Sequence, residues 1–300
     1  MSEAGDTGAA NPAPTLLCAD DFAMTNGVSQ AIVELAEAGR LSAVSAFTTT
    51  AHWPSHATWI ARTRGKVAVG LHFNLTLGAP LGPMPRLAPD GAFPAVGMLT
   101  ARALSRTLDT GEIAGECARQ LDAFEAEMGF PPDHVDGHQH VHALPLIRRA
   151  VLEVAAHRYG KSPVKPLLRN PANSLRGIVI RRSHGAKAAL LSALSAGFAS
   201  AAHHAGFELN DGFGGVTGFD EATVESDFDT ACIAPGPRHL VMCHPGHVDA
   251  ELERIDPVRG RRAAEFRYLA GGRFPAPLWR PSRTAMGKPV DWRAEWMAAR

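Results

Sequence analysis

Four stretches of this chain carry side chains able to do acid–base or metal chemistry, and each follows an apolar run. Asp20 and Asp21 stand side by side in LLCADDFAMT (16–25), and His72 lies in VGLHFNLT (69–76). HVDGHQHVH (134–142) sets Asp136, His138, His140 and His142 at alternate positions, and His244 falls in VMCHPGHVD (241–249). Adjacent carboxylates repel each other, and burial penalises both. A turn or a helix cap is one reason to place such a pair at the end of a buried run. A divalent cation is the other. Beside it the repulsion is offset, one carboxylate can ligate, and its neighbour can take a proton from bound water. A carboxylate with two neutral imidazoles suits Zn²⁺, Fe²⁺, Co²⁺, Mn²⁺ or Mg²⁺ with positions left for water. His244, from a separate segment, is a candidate general acid.

If 134–142 is extended, its alternate residues point one way in steps of roughly 7 Å. They cannot all reach one ion. One or two would bind it, and the rest would support the ligands or touch substrate. A helix would instead pair His138 with His142 at i, i+4. Gly137 and Pro145 favour the end of a strand. In 69–76, strand parity puts His72, Asn74 and Thr76 on one face. Arg169 ends the run VKPLLR (164–169), and LNDGFGGV (209–216) reads as a glycine-rich loop carrying Phe213.

The elements that must position these residues alternate. Apolar runs at 15–19, 42–50, 67–77, 134–142 and 238–246 read as strands. Segments 28–41, 56–64, 101–108, 111–129, 144–160 and 185–206 read as helices, with Pro145 in the first turn of its helix and Gly129 closing another. Alternation over such a length predicts an α/β fold with a parallel sheet in one domain, and parallel sheets gather ligands at the C-terminal ends of their strands. Segment 78–98, with five prolines and four glycines, predicts a long irregular loop of the kind that lines sites. Residues 1–14 predict a disordered lead-in, and 271–300 a wrap over the surface of the domain 15–270.

Composition narrows the function classes. The 300 residues are 45% hydrophobic and 20% charged, with Lys plus Arg equal to Asp plus Glu at 30 each. That balance offers no electrostatic case for nucleic acid or an anionic membrane. No stretch approaches the ~18 apolar residues of a membrane span. The N-terminus lacks the basic and apolar regions of a secretory signal, and Cys18, Cys117, Cys232 and Cys243 are scattered, so reduced thiols in the cytoplasm are expected.

The four motifs, with ADDFAMTNGVSQAIVELAEAGRLSAVS and HVDGHQHVHALP in order, resemble those of the YdjC-like carbohydrate deacetylases, which include chitooligosaccharide deacetylases and a hopanoid-biosynthesis branch. The resemblance runs from about Thr15 to Asp249 and is weak at 165–235. It implies a distorted, TIM-like (β/α) barrel and a divalent metal, Mg²⁺ or Zn²⁺, held by Asp21, His72 and His138. It further implies Asp20 as base and His244 as acid or substrate contact, with His140, His142, Asp136, Asn74, Arg169 and Phe213 as substrate contacts or ligand supports. His140 is an alternative ligand to His138. The implied reaction removes an N-acetyl group from an amino sugar or glycolipid. A non-haem iron oxygenase, or a sugar- or metal-binding protein without catalysis, fits the same ligand types. The family carries Gly where this chain has Ala23; a slightly different turn is expected there.

Overall fold

The computed structural model describes residues 14–181, 184–281 and 289–298, so all but Pro14 of the expected lead-in lies outside the described residues. Seven strands form one sheet: β1 (Leu16–Phe22), β2 (Ala43–Ala46), β3 (Ala68–Phe73), β4 (His134–Gly137), β5 (Leu167–Leu168), β6 (Gly212–Gly214) and β7 (His239–Cys243). Their order is β5-β4-β3-β2-β1-β7-β6, every neighbour parallel. A parallel bridge from Leu168 to Leu209, just ahead of β6, brings the two edges together. The result is a single-domain, distorted (β/α) barrel.

Strand parity explains how this barrel is filled. Leu17, Ala19, Val44, Val69, Leu71, Val135 and Val241 belong to a large apolar cluster with the surrounding helices. Their neighbours of opposite parity, Leu16, Cys18, Ala43, Ala68, Leu167, Leu240 and Met242, form a second, smaller cluster with Phe213. That second set is the barrel interior, filled in layers. Small residues there leave room for large ones. A Cβ on Gly70 would fall 2.4 Å from the His134 ring. Continued one step toward the C-terminal ends, the same parity reaches Asp20, Ser45, His72, Asp136, Arg169 and His244. Polar chemistry thus caps an apolar interior.

The C-terminal tail closes the other end rather than wrapping the surface. Trp279 and Trp292 are 6% and 1% exposed and join the interior cluster, their rings stacked at 4.9 Å. The Val290 N–H donates to Asp133 Oδ1, and the Trp292 indole donates to the Asp133 carbonyl.

The helices cover the outside. In α1 (Asn26–Glu37) the Thr25 hydroxyl caps the Val28 N–H. Next come α2 (Trp53–Ala61), α3 (Val96–Leu104), α4 (Thr110–Met128) and α5 (Ile147–Tyr159). Asp109 caps α4 at its start, and Gly129, at φ 74°, closes it as expected. Three expectations change. The helix read at 101–108 begins earlier, at Val96, out of the irregular loop. The helix at 144–160 starts at Ile147, past Pro145, because Leu146 has φ 65°. The helix at 185–206 breaks into Gly185–Leu194 and Phe198–His204 where Gly197 takes φ 85°.

Candidate metal and acid–base site

In a regular strand Asp20 and Asp21 would face opposite sides. Here β1 changes register between Ala19 and Phe22, and Asp21 has φ 71°, in the left-handed region. That break turns Asp21 toward the same end of the barrel as Asp20. Ala23 also has φ 67°, so the turn is not the relaxed variant expected for a non-glycine residue. Its backbone is pinned: the N–H donates to Ser29 Oγ at 2.9 Å, and the carbonyl accepts from Thr50 Oγ1 at 2.6 Å. Ala23→Gly should therefore raise stability by about 1 kcal/mol, the relief of left-handed strain less the added entropy of the unfolded chain. A urea midpoint equal to or below wild type would contradict this.

Asp21 Oδ1 lies 3.2 Å from His72 Nε2 and 3.1 Å from His138 Nδ1. Two ligands about 2.1 Å from a shared cation are spaced about 3.0–3.4 Å apart. Both distances to Asp21 fit that arrangement, and the three donor atoms lie within 4.8 Å of one another. The remaining Asp21 oxygen accepts from Arg262 at 2.6 Å, and Arg262 also holds Asp256 at 2.5 Å. Burial alone would raise the Asp21 carboxyl. Arg262, His138 and His72 outweigh it and hold Asp21 well below the usual carboxylate range.

His72 is oriented from behind. Its Nδ1–H donates to Asp136 Oδ1 at 2.6 Å, which leaves Nε2 facing Asp21. Burial pushes the imidazole down, but Asp136, Asp21 and Asp20 raise it to about 10. In metal-free protein a proton therefore sits where a cation would compete for it. The folded value lies above the ordinary histidine value of 6.5, so His72 stabilises the fold fully below about pH 6.5 and loses that contribution as pH rises through 10. Chelated protein should lose thermal stability between pH 7 and 10 more steeply than its His72→Gln variant. Parallel curves for the two would contradict the pairing.

Asp136 is a hub. Its Oδ2 accepts from Ser45 Oγ and from Arg169, each at 2.5 Å. Arg169 is 0% exposed and grips Asp20 with both ends of its fork, at 2.6 and 2.7 Å. Burial would lower the Arg169 guanidinium, and the surrounding carboxylates raise it well above its ordinary value. A sugar contact by Arg169 is thus corrected: its fork is sealed inside the protein. One Asp20 oxygen also lies within 4.8 Å of a His72 nitrogen. Two other clusters, Cys18–His134–Asp136 and Asp20–His72–Asp136, have donors equally close. Both include Asp136, whose Oδ1 is taken by the His72 Nδ1–H and whose Oδ2 is taken by Ser45 and Arg169, so neither oxygen faces an open position.

The histidine run does not stay extended. β4 ends at Gly137, and Gln139 and His140 take φ 52° and 61° inside a short 3₁₀ turn, His138–Ala143. The kink fans three histidines apart instead of lining them on one strand face. His138 meets Asp21. The His140 ring meets the Phe213 ring edge-on at 5.5 Å, with Nδ1 buried and unpartnered. Burial, then Arg169, His142 and His244, push His140 well below its ordinary value. His142 Nε2 donates to the Arg169 carbonyl at 2.7 Å and so steadies the end of β5; burial holds it at about 4.

His244, at the end of β7 beside β1, donates its backbone N–H to Glu265 Oε2 at 2.5 Å. Burial lowers its pKa against the opposing pull of Asp21, Asp20 and Glu265. Two further expectations are corrected. Phe213 is 0% exposed in β6, so it does not present a face to a sugar, and 212–214 is strand rather than loop. β3 stops at Phe73, so Asn74 and Thr76 share no strand face with His72. The Asn74 amide instead builds the following turn, accepting from the Thr76 and Leu77 N–H groups and donating to Thr49 Oγ1 and the Leu77 carbonyl. Sequence reasoning passed over Arg262 and Ser45, one in a basic helix start and one in a small-residue strand. Neither has a local signature.

Three comparisons bear on this geometry. The model of the YdjC-like protein family matches residues 15–278. A chitooligosaccharide deacetylase of Klebsiella pneumoniae subsp. pneumoniae is 32% identical over 237 residues, 77% of this chain and 81% of that protein. One of Yersinia pestis bv. Antiqua is 37% identical over 140 residues, so the match spans 47% of this chain and about half, 54%, of that relative. A solved structure from Enterococcus faecalis V583, named for cellobiose-phosphate cleavage, superposes with a TM-score of 0.66 at 20% identity, covering 90% of this chain and 98% of that one. That likeness concerns the fold. With a family model spanning most of the described barrel and each of the four motifs at its C-terminal rim, the chain belongs to the YdjC-like family.

Proposed function

We propose that this chain is a metal-dependent hydrolase that removes the N-acetyl group from an N-acetylated amino sugar or its conjugate. The observation that carries the reading is Asp21 Oδ1 set between His72 Nε2 and His138 Nδ1, with Asp20 locked beside them by Arg169. The names of the curated relatives support the reaction class.

In this reading Asp21, His72 and His138 hold a divalent cation. When bound, the cation polarises the acetamide carbonyl and makes water a stronger acid. Asp20 accepts the proton of the attacking water. Arg169 fixes both Asp20 oxygens in position and leaves each a free lone pair for that proton. His244, held neutral at rest by burial, passes a proton to the departing nitrogen, the proton that Asp20 has taken from the water. His140 stays neutral beside it as a hydrogen-bonding group for substrate. Products are acetate and a free amine. Hydrolysis uses the second carboxylate at the site, whereas an iron oxygenase requires only the two-His-one-carboxylate set.

The test is acetate release from N-acetylglucosamine oligomers and an N-acetylated glycolipid. Activity should vanish with chelator and return with divalent metal. A metal-replete preparation that releases no acetate from a broad panel of such amides would overturn the proposal.

A further inference from the structure

The overall charge balance conceals a local asymmetry. Residues 154–207 contain eight Lys and Arg and no Asp or Glu. Within this stretch a helical hairpin, Leu175–Arg181 followed by Gly185–Leu194, leaves β5 and packs against the β6 side of the barrel. One side is anchored: Ala188 is buried, and Leu191 packs on the interior cluster. The other side is apolar and open, with Val179 68%, Ile180 40% and Leu190 61% exposed. Arg176, Val179 and Ile180 follow i, i+3, i+4 spacing, which puts them on one helix face. The Arg181 Nε–H donates to the Ile233 carbonyl at 3.2 Å, which brings Ile233, 43% exposed, beside the hairpin. Four of the ten large exposed apolar residues among those described therefore gather at one place.

We propose that this hairpin docks on an anionic lipid surface. Apolar side chains standing out among cations are the pattern of interfacial helices. Of the eight, Arg158 and Arg169 are held by carboxylates of other segments, whereas Arg176, Arg181 and Lys187 on the hairpin meet no carboxylate among the ion pairs of the described residues. Arg181 donates to the Asn173 side chain and the Phe213 carbonyl, and Lys187 to the Thr217 carbonyl, all neutral acceptors. The nearby Asp227 is already held by Arg261 at 2.7 Å. A second copy of the chain is the poorer occupant, because a two-fold interface would set two acid-free hairpins against each other. No described helix is long and apolar enough to cross a membrane, so the contact is peripheral. The inference stands apart from the deacetylase reading.

The test is co-flotation of the full chain with phosphatidylglycerol–phosphatidylcholine vesicles and with phosphatidylcholine alone. Binding should be about tenfold stronger to the anionic vesicles and should weaken with salt. Val179→Asp with Leu190→Asp, and separately Arg176→Glu, should each cut binding about tenfold. Met98→Asp, at a 60% exposed apolar residue on another helix, should leave binding unchanged. All of these sites are exposed, so far-UV circular dichroism should stay at wild type. Equal or absent binding to the two vesicles, or binding unaffected by the hairpin variants, would overturn the proposal. So would a dimer in solution that the Val179→Asp, Leu190→Asp variant dissociates.

Discussion

Asp20→Asn should lower turnover by about a thousandfold while leaving cation affinity within a few-fold of wild type. Asp20 and Asp21 are adjacent in sequence, but their surroundings separate their tasks. Asp21 offers one oxygen to His72 and His138 and gives the other to Arg262. Asp20 touches neither His72 nor His138 at bonding distance and is held instead by the Arg169 fork. Asparagine keeps the shape and one hydrogen bond to Arg169 but cannot take a proton from water. The loss should therefore appear in kcat with little change in KM. Metal content measured beside turnover checks the assignment. If Asp20→Asn lost the metal as well, the two aspartates would have to exchange roles.

Arg169→Met should destabilise the protein by about 3–5 kcal/mol, measured by urea unfolding of the chelated form. Methionine fills much of the volume but strands two buried carboxylates, Asp20 and Asp136, that share this guanidinium. It also frees Asp136 from the geometry that aims His72. Arg169→Lys should recover part of the loss, since it restores charge without the bidentate fork. A cost below about 1 kcal/mol for Arg169→Met would mean that the buried network contributes little.

Much of this architecture was legible in the sequence. Alternating apolar runs and helical segments give the parallel barrel, and the polar residues ending those runs mark its functional rim. Asp20, Asp21, His72, His138 and His244 all sit at that rim because strand ends converge there whatever the details of packing. Backbone irregularity was not legible. Nothing in HVDGHQHVH announces left-handed angles at Gln139 and His140, yet that kink separates the three histidines. The same holds for φ 71° at Asp21, which defeats strand parity. Long-range ion pairs were equally hidden. Arg169 read as a substrate contact or a ligand support, without its partners, because these lie 149 and 33 positions away along the chain. Phe213 read as a loop aromatic because three glycines surround it, and those glycines instead let β6 pack closely: a Cβ on Gly214 would meet Ala231 and Val241 at 3.1 Å. The tail 271–300 read as a surface wrap, whereas its Trp279 and Trp292 close the barrel from below.

The proposed chemistry depends on one divalent cation shared by Asp21, His72 and His138. Anomalous diffraction from crystals of the chain soaked in a zinc or manganese salt tests it most directly. A single strong anomalous peak bonded to Asp21 Oδ1, His72 Nε2 and His138 Nδ1 is expected, absent from crystals of a His72→Ala variant. A peak bonded instead to Cys18, His134 and Asp136, or no peak in a crystal that shows the three side chains ordered, would contradict it.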